Sequence, residues 1–273
     1  MTSTESKVDF SIITPSLNYG QFLGECLESV AAQSGVKVEH LIIDGGSTDD
    51  SRKVAASFPH ANWFQEPDEG MSDAINKGFD RARGEWVMWL NADDRLRPAA
   101  LSALKPSLDA SAADVVYGDW GIIDHDGRLI RELSVPRWSR FVHIHHHCYI
   151  ASTAAFYRKA TVIDEGIRLR NDFHYVMDGE FYARLDAKGK SFEHAPFTTA
   201  EFRLHGGNAS KRNLGRSGDM ENILAAERQH VESRAIRRAY GFTPFEDPYL
   251  NGLSDGVLWV AARVWKSILR VTA

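Results

Sequence analysis

Apolar positions change their period several times along the chain, and each change marks an element. Asp9 to Thr14, DFSIIT, is a short apolar run stopped by Pro15 and reads as a strand. Phe22, Leu23, Cys26, Leu27, Val30 and Ala31 then recur at helical spacing. Asn18 and Gln21 have the spacing of a capping box ahead of that helix, and Gly35 stands where it should stop. Val38 to Ile43, VEHLII, predicts a second strand ending in Asp44-Gly45-Gly46-Ser47, with a helix following to about Ser57. Asn62 to Gln65 predicts a third strand. Met71, Ala74, Ile75, Phe79 and Ala82 share one helix face closed by Gly84, and Trp86 to Leu90 is a fourth, buried-looking strand.

The second half is less periodic. Val115 to Ile123 and Arg128 to Leu133 predict two strands joined by a turn at Asp126-Gly127. Residues 141 to 157 are rich in aromatics and histidines. Met177, Phe181 and Leu185 form one stripe of a helix over 176 to 188. Residues 220 to 240 predict a charged helix, and a polar link from Phe242 to Pro248 leads to a last helix over about 254 to 271.

Strand and helix thus alternate four times in the first 95 or so residues. That pattern implies an α/β fold with a mainly parallel central sheet flanked by helices, plus C-terminal helices. In such sheets ligands collect beyond the carboxyl ends of the strands. Three predicted ends carry Thr14-Pro15-Ser16, Asp44-Gly45-Gly46 and Asn91-Ala92-Asp93-Asp94. Carboxylates gathered at a strand end repel one another, but they suit a divalent cation that shares its remaining ligands with a diphosphate. Two simpler readings stand beside this one. Asp93 and Asp94 can cap the turn before Pro98, and Asp44 can close an Asx-turn.

Composition narrows the classes. Of 273 residues, 43% are hydrophobic and 25% charged, enough for a substantial core. A net charge of −5 argues against a nucleic-acid partner, which needs a basic excess. Two cysteines, Cys26 and Cys148, in apolar surroundings read as reduced thiols and exclude a disulfide framework. The polar N-terminus has no apolar signal segment, and no apolar run reaches about 18 residues. These features predict a cytoplasmic chain, placed peripherally at the inner face of the membrane if its last helix is interfacial.

The segments SIITPSLN, LIIDGGSTDDS, EPDEGMSDAINKGFDRARGEWVMWLNADD, MDGEFYARL and FRLHGGNAS occur in order over residues 8 to 212. In combination they resemble the family-2 inverting glycosyltransferases of the GT-A fold. The resemblance implies a nucleotide-sugar-binding half over 8–115, an acceptor-binding half of the same domain over 116–245, and a C-terminal amphipathic helix over 246–273. It implies that Thr14, Pro15 and Ser16 line the nucleotide pocket and that Asp44 reads the base, typically uracil. Asn91-Ala92-Asp93 occupies the family's D-x-D position. Asn91 stands where the family has an acid and can still bond a ribose hydroxyl, so ligation of Mn2+ or Mg2+ falls to Asp93, with Asp94 in reserve. Asn76 and Asp73 lie in a donor-side block. Asp178 matches the general base that takes the acceptor's proton; on the residues alone it can equally favour its helix N-terminus. Glu180, two positions on, would face elsewhere. The implied donor is a nucleoside-diphosphate sugar, with UDP expected, and the acceptor is a glycan or polyprenol-linked sugar.

Further features extend this reading. His205, with Gly206-Gly207 and Lys211-Arg212, is a candidate for diphosphate contact or a lid. His143, His145, His146 and His147 before Cys148 are read either as a zinc site or as an acceptor-side loop; on a strand, His143, His145 and His147 would share a face. The last helix has a wide apolar face with Trp259 and Trp265 and a basic strip at Arg263, Lys266 and Arg270, suited to a membrane surface or to a homodimer contact. Rival functions are a nucleotidyltransferase, for which ITPSLNYGQF lacks the Gly-rich basic segment, and a non-catalytic sugar-nucleotide-binding protein.

Overall fold

The computed structural model describes residues 7–208, 220–240 and 263–269. β1 (Phe10–Ser16), β2 (Val38–Asp44), β3 (Ala61–Gln65) and β4 (Trp86–Trp89) lie in the order β3-β2-β1-β4, each pair parallel. They are joined through α1 (Gly20–Ala31), α2 (Ser51–Ala55) and α3 (Met71–Arg81). β1 is buried along its whole length, which is why it reads as a continuous apolar run rather than an alternating one. Ile12 and Ile13 nevertheless face opposite layers, as the two-residue strand period requires.

Beyond β4 come β5 (Arg95–Leu96), α4 (Ala100–Ala110), β6 (Val115–Ile123), β7 (Leu129–Leu133), α5 (Arg140–His145), β8 (Ala155–Arg158), α6 (Met177–Ala187), β9 (Phe192–Arg203) and α7 (Met220–Tyr240). The sheet continues from β4 as β8-β6-β9-β5, with β7 paired on β6. β8 is antiparallel to both β4 and β6, whereas β9 is parallel to β6 and antiparallel to β5. The sheet is therefore mixed, not purely parallel. In its second half β6 and β7 form a hairpin, and α4, α5 and α6 lie in the connections β5–β6, β7–β8 and β8–β9. The two expected halves share this one continuous sheet.

Trp89 of β4 stacks on Tyr157 of β8 with centroids 5.3 Å apart, and Phe79 of α3 and Phe181 of α6 close around the pair. This aromatic cluster ties the parallel half to the helix that carries Asp178.

Some local expectations give way to tertiary ones. The capping box at Asn18 does not form. Asn18 is left-handed (φ 58°), and its side chain accepts from the Thr48 amide while its own amide donates to Ser47. The helix after Asp44 starts later, at Ser51, where Asp49 takes the Ser51 amide. Residues 140–145 form a helix rather than a strand, so the histidines there do not alternate between two faces. The helix expected over about 254 to 271 is helical at 263–269; residues 254–262 and 270–271 lie outside the described ones. Leu269 packs on the core, while Val264, Trp265 and Ile268 are exposed. No described helix is long and apolar enough to cross a membrane.

Candidate functional site

A cavity of about 610 Å³ opens where β1 and β4 end, and it reaches across to the start of α6. Pro15, Asn91, Ala92 and Asp93 line it from the first half of the chain, and Asp178 lines it from the second. The two acids singled out in the sequence thus share one cavity.

The Asn91–Asp94 turn is held from a distance by β9. Arg203 is fully buried, and each part of its guanidinium has a partner. Nε donates to the Asp93 carbonyl at 2.8 Å, one terminal nitrogen to the His125 carbonyl at 2.8 Å, and the other to Glu25 at 2.6 Å. The Arg203 amide donates to Asp94 Oδ1 at 2.9 Å. Asp94, expected as a reserve metal ligand, is therefore turned into the protein. Burial, then the charge of Asp93, raises its carboxyl well above the usual range.

Asn91 completes the lock by donating its side-chain amide to Asp94 Oδ2 at 3.0 Å. A carboxylate at position 91 could not donate that bond. Asn91→Asp should destabilise the fold at pH 8 by roughly 1–3 kcal/mol, the cost of an unsatisfied buried group, and the loss should shrink as pH falls and one acid protonates. Urea unfolding at several pH values measures it; equal stability at all of them would remove Asn91 from this role.

Asp93 itself is nearly buried. Its Oδ2 meets His205 Nε2 at 2.9 Å and the Asn208 amide at 3.1 Å, while Oδ1 has no hydrogen bond among the described residues. Two further polar atoms, Asn91 Oδ1 and Ser16 Oγ, are buried without partners beside these strand ends. Buried polar groups are seldom left unpaired, and orphans clustered at strand ends suit a bound ligand. His205 lies beside Asp93 rather than on a loop apart from it; Lys211 and Arg212 fall outside the described residues.

Other expected donor-side residues are engaged within the protein. Asp44 is fully buried and accepts from the Gly46 amide at 3.0 Å, the Ser47 amide at 2.8 Å and the Ser47 hydroxyl, forming the Asx-turn. Thr14 is paired with His40 at 2.9 Å, and burial lowers that imidazole to about 3. Asn76 uses both ends of its amide on the Leu169 backbone, so it braces α3 and does not line the cavity. Asp73 pairs with Lys77 at 2.8 Å.

Asp178 occupies the first turn of α6, with Oδ1 accepting from the Gly179 amide at 2.7 Å. The residue as a whole is half-buried, but its carboxyl lies near Cys148, Tyr157 and Tyr182, whose ionisation it opposes. Burial raises it to about 6, against the pull of the Gly179 amide. Glu180 points elsewhere, as its spacing predicts, and is paired with Arg184 at 2.9 Å and the Tyr240 hydroxyl at 2.8 Å. His143 is buried against the Gly179 carbonyl at 2.8 Å, and burial lowers it to about 4. Among the described residues no three His, Cys, Asp or Glu side chains converge on a point, the His143–Cys148 segment included.

Glu232 of α7 accepts the amides of His174, Tyr175 and Val176 at 3.1, 2.9 and 3.1 Å, fixing the entry to α6 and with it Asp178. Neither Glu232 nor Arg203 stands out in the sequence. One lies in a helix dense with charge and the other in a strand with no apolar alternation.

Several known proteins resemble this chain. The sequence profile described as "Glycosyl transferase family 2" matches residues 11–165. A Mycobacterium bovis protein described as a PGL/p-HBAD biosynthesis glycosyltransferase is 38% identical over 117 residues, covering 40% of this chain and 46% of its own length. The hyaluronan synthase of Pasteurella multocida is 26% identical over 87% of this chain but only 24% of itself. The chain therefore matches less than half the length of either relative. Among solved structures, S. aureus TarS 1-349 in complex with UDP-GlcNAc superposes with a TM-score of 0.62 at 16% identity, covering 93% of this chain and 79% of that one. The mannosyltransferase PcManGT from Pyrobaculum calidifontis in complex with GDP-Man and Mn2+ gives 0.57 at 16% identity, over 97% and 85%.

Proposed function

This chain belongs to glycosyl transferase family 2, and from that footing we propose that it transfers a sugar from a nucleoside-diphosphate sugar, preferably a UDP-sugar, to an acceptor hydroxyl with inversion, in the synthesis of a polysaccharide or surface glycan. The observation that carries the reading is the shared cavity: Asp93 at the end of β4 and Asp178 at the start of α6 both line it. Relatives named for PGL/p-HBAD biosynthesis and hyaluronan synthesis support the class of product, and the UDP-GlcNAc complex of TarS supports UDP.

In this reaction the acceptor O–H attacks the anomeric carbon from the face opposite the diphosphate. A new C–O bond forms, the bond to the diphosphate oxygen breaks with its electron pair, and Asp178 receives the hydroxyl proton. Room for the acceptor between base and leaving group is what inversion demands. A carboxyl held near 6 is ionised at neutral pH yet more basic than an ordinary aspartate, as a general base should be. A binding protein without catalysis would have no use for such an acid facing the acceptor space.

The residues around Asp93 fit a divalent cation. Oδ1 of Asp93 and the unpartnered Asn91 Oδ1 would hold it as oxygen ligands, which suits Mn2+ or Mg2+ completed by substrate phosphates, while His205, whose Nδ1 accepts from the Gly207 amide, donates from Nε2 to Asp93 Oδ2 and orients that carboxylate. Such an ion, when bound, neutralises charge building on the departing diphosphate. Asp93→Asn should abolish the gain in UDP affinity produced by Mn2+, a loss of at least about tenfold, while metal-free UDP binding stays as it was. Calorimetric titration with and without Mn2+ reads both, with GDP as the control nucleotide. An undiminished metal effect would remove Asp93 as the ligand.

A further inference from the structure

The far wall of the cavity differs in charge from the wall around Asp93. It is formed by the α5–β8 segment, the loop before α6, and the face of α7 that packs on α6. Ile236 of α7 approaches Gly179, the residue after Asp178, so its neighbour Arg237 stands on the Asp178 side of the cavity. Arg237 is half-buried and makes no ion pair or hydrogen bond among the described residues. A guanidinium that is partly desolvated and left unpaired is costly unless a ligand completes it.

Two imidazoles share this wall, and a lysine reaches one of them. His146 and His147 line it with their Nδ1 atoms 2.5 Å apart, and Lys266 Nζ lies 2.6 Å from His147 Nε2. An ammonium can only donate, so His147 Nε2 accepts, its proton sits on Nδ1, and that proton is given to His146 Nδ1. His146 therefore carries its own proton on Nε2. The chain begins at a cation and consists of donors directed one to the next. His174 lines the same side.

Among the described residues, the acids near Arg237 are engaged elsewhere. Glu232 is taken up by three backbone amides and Glu180 by Arg184 and Tyr240. Among the described residues Asp178 is the remaining acid on this wall, and it is the group that faces the accepting hydroxyl.

We infer that the acceptor is itself anionic, a sugar or polyol carrying a phosphate or carboxylate group that Arg237 binds. This rests on the proposed placement of donor and base at opposite ends of the cavity. Arg237 is then a specificity residue for the acceptor, and neutral sugars should be poor substrates. Guanidinium pairing with phosphate or carboxylate is bidentate and stronger than a neutral hydrogen bond.

The test uses the full chain with Mn2+, with and without saturating UDP. sn-Glycerol 3-phosphate and glucuronate are titrated against their neutral counterparts, glycerol and glucose, with ligand-observed NMR as the readout. One anion should bind at least about tenfold more tightly than its neutral partner, and Arg237→Gln should erase the difference while leaving UDP affinity unchanged. Preference for glycerol phosphate would identify a phosphate-bearing acceptor, and preference for glucuronate a uronate-bearing one. The inference is overturned if neither anion is favoured, or if Arg237→Gln weakens UDP by the same factor, which would give Arg237 to the donor diphosphate. UDP binding is read separately, so anion preference without UDP affinity would sink the donor reading and leave this one standing.

Discussion

Asp178→Asn should reduce sugar transfer on the order of 10²–10⁴-fold while donor affinity stays within about twofold of wild type. The side chains are nearly the same size, and Oδ1 can still accept from the Gly179 amide, so the start of α6 should keep its shape. What disappears is the ability to receive a proton. The wild-type rate should rise with pH through about 6, where burial holds this carboxyl, rather than near 4. The stability sign runs the other way from an ion-paired acid. A folded value raised above the unfolded one stabilises below pH 4 or so, and that contribution is lost as pH climbs through about 6. The asparagine variant should therefore be no less stable than wild type at pH 8, and its residual rate should lack the ascending limb. Thermal melts, UDP calorimetry and a pH profile with one donor–acceptor pair measure all three. Full transfer by the variant, or an unchanged pH profile, would move the base elsewhere.

Arg203→Met should cost about 3–5 kcal/mol of folding stability and take metal-dependent UDP binding with it. The methionine fills most of the space but satisfies none of the bonds. The Asp93 and His125 carbonyls lose their donor, and Glu25 keeps only its exposed pairing with Arg95. The Asp93 backbone is then free to shift, and a misplacement of an ångström at a metal ligand is enough to spoil the site. Arg203→Lys should recover part of the stability but little of the binding, because one ammonium cannot span the three partners that a planar fork reaches. Urea unfolding beside Mn2+–UDP titration separates the two effects. A methionine variant within about 1 kcal/mol of wild type would show that the turn holds itself.

Reading from residues to elements succeeded where burial and periodicity agree. β1, β2 and β4 are buried on both faces and α3 on one, so their apolar patterns mark them directly. It failed for β9. Thr199, Glu201 and Arg203 of that strand are buried and polar, and Pro196 falls at a register shift opposite Gly118 and Asp119. A strand whose inward side is charged has no apolar alternation to detect. Missing β9 meant missing Arg203 and left His205 on an unplaced loop. The Asx-turn at Asp44 was legible because its partners, Gly46 and Ser47, are local, whereas the partner of Asn18, Thr48, comes from a loop 30 positions on.

By itself the sequence determined the parallel half of the sheet and the acids at its edge, because strand ends and the residues that follow them are local facts. It also singled out Asp178 on its helix. Only the tertiary structure decided that Asp93 and Asp178 open into one cavity, that Asp94 turns inward, and that Arg203, Glu232 and Arg237 stand behind or across from them. Those relations join residues more than fifty positions apart. They are set by sheet order and by the desolvation of each charge, and neither leaves a period along the chain.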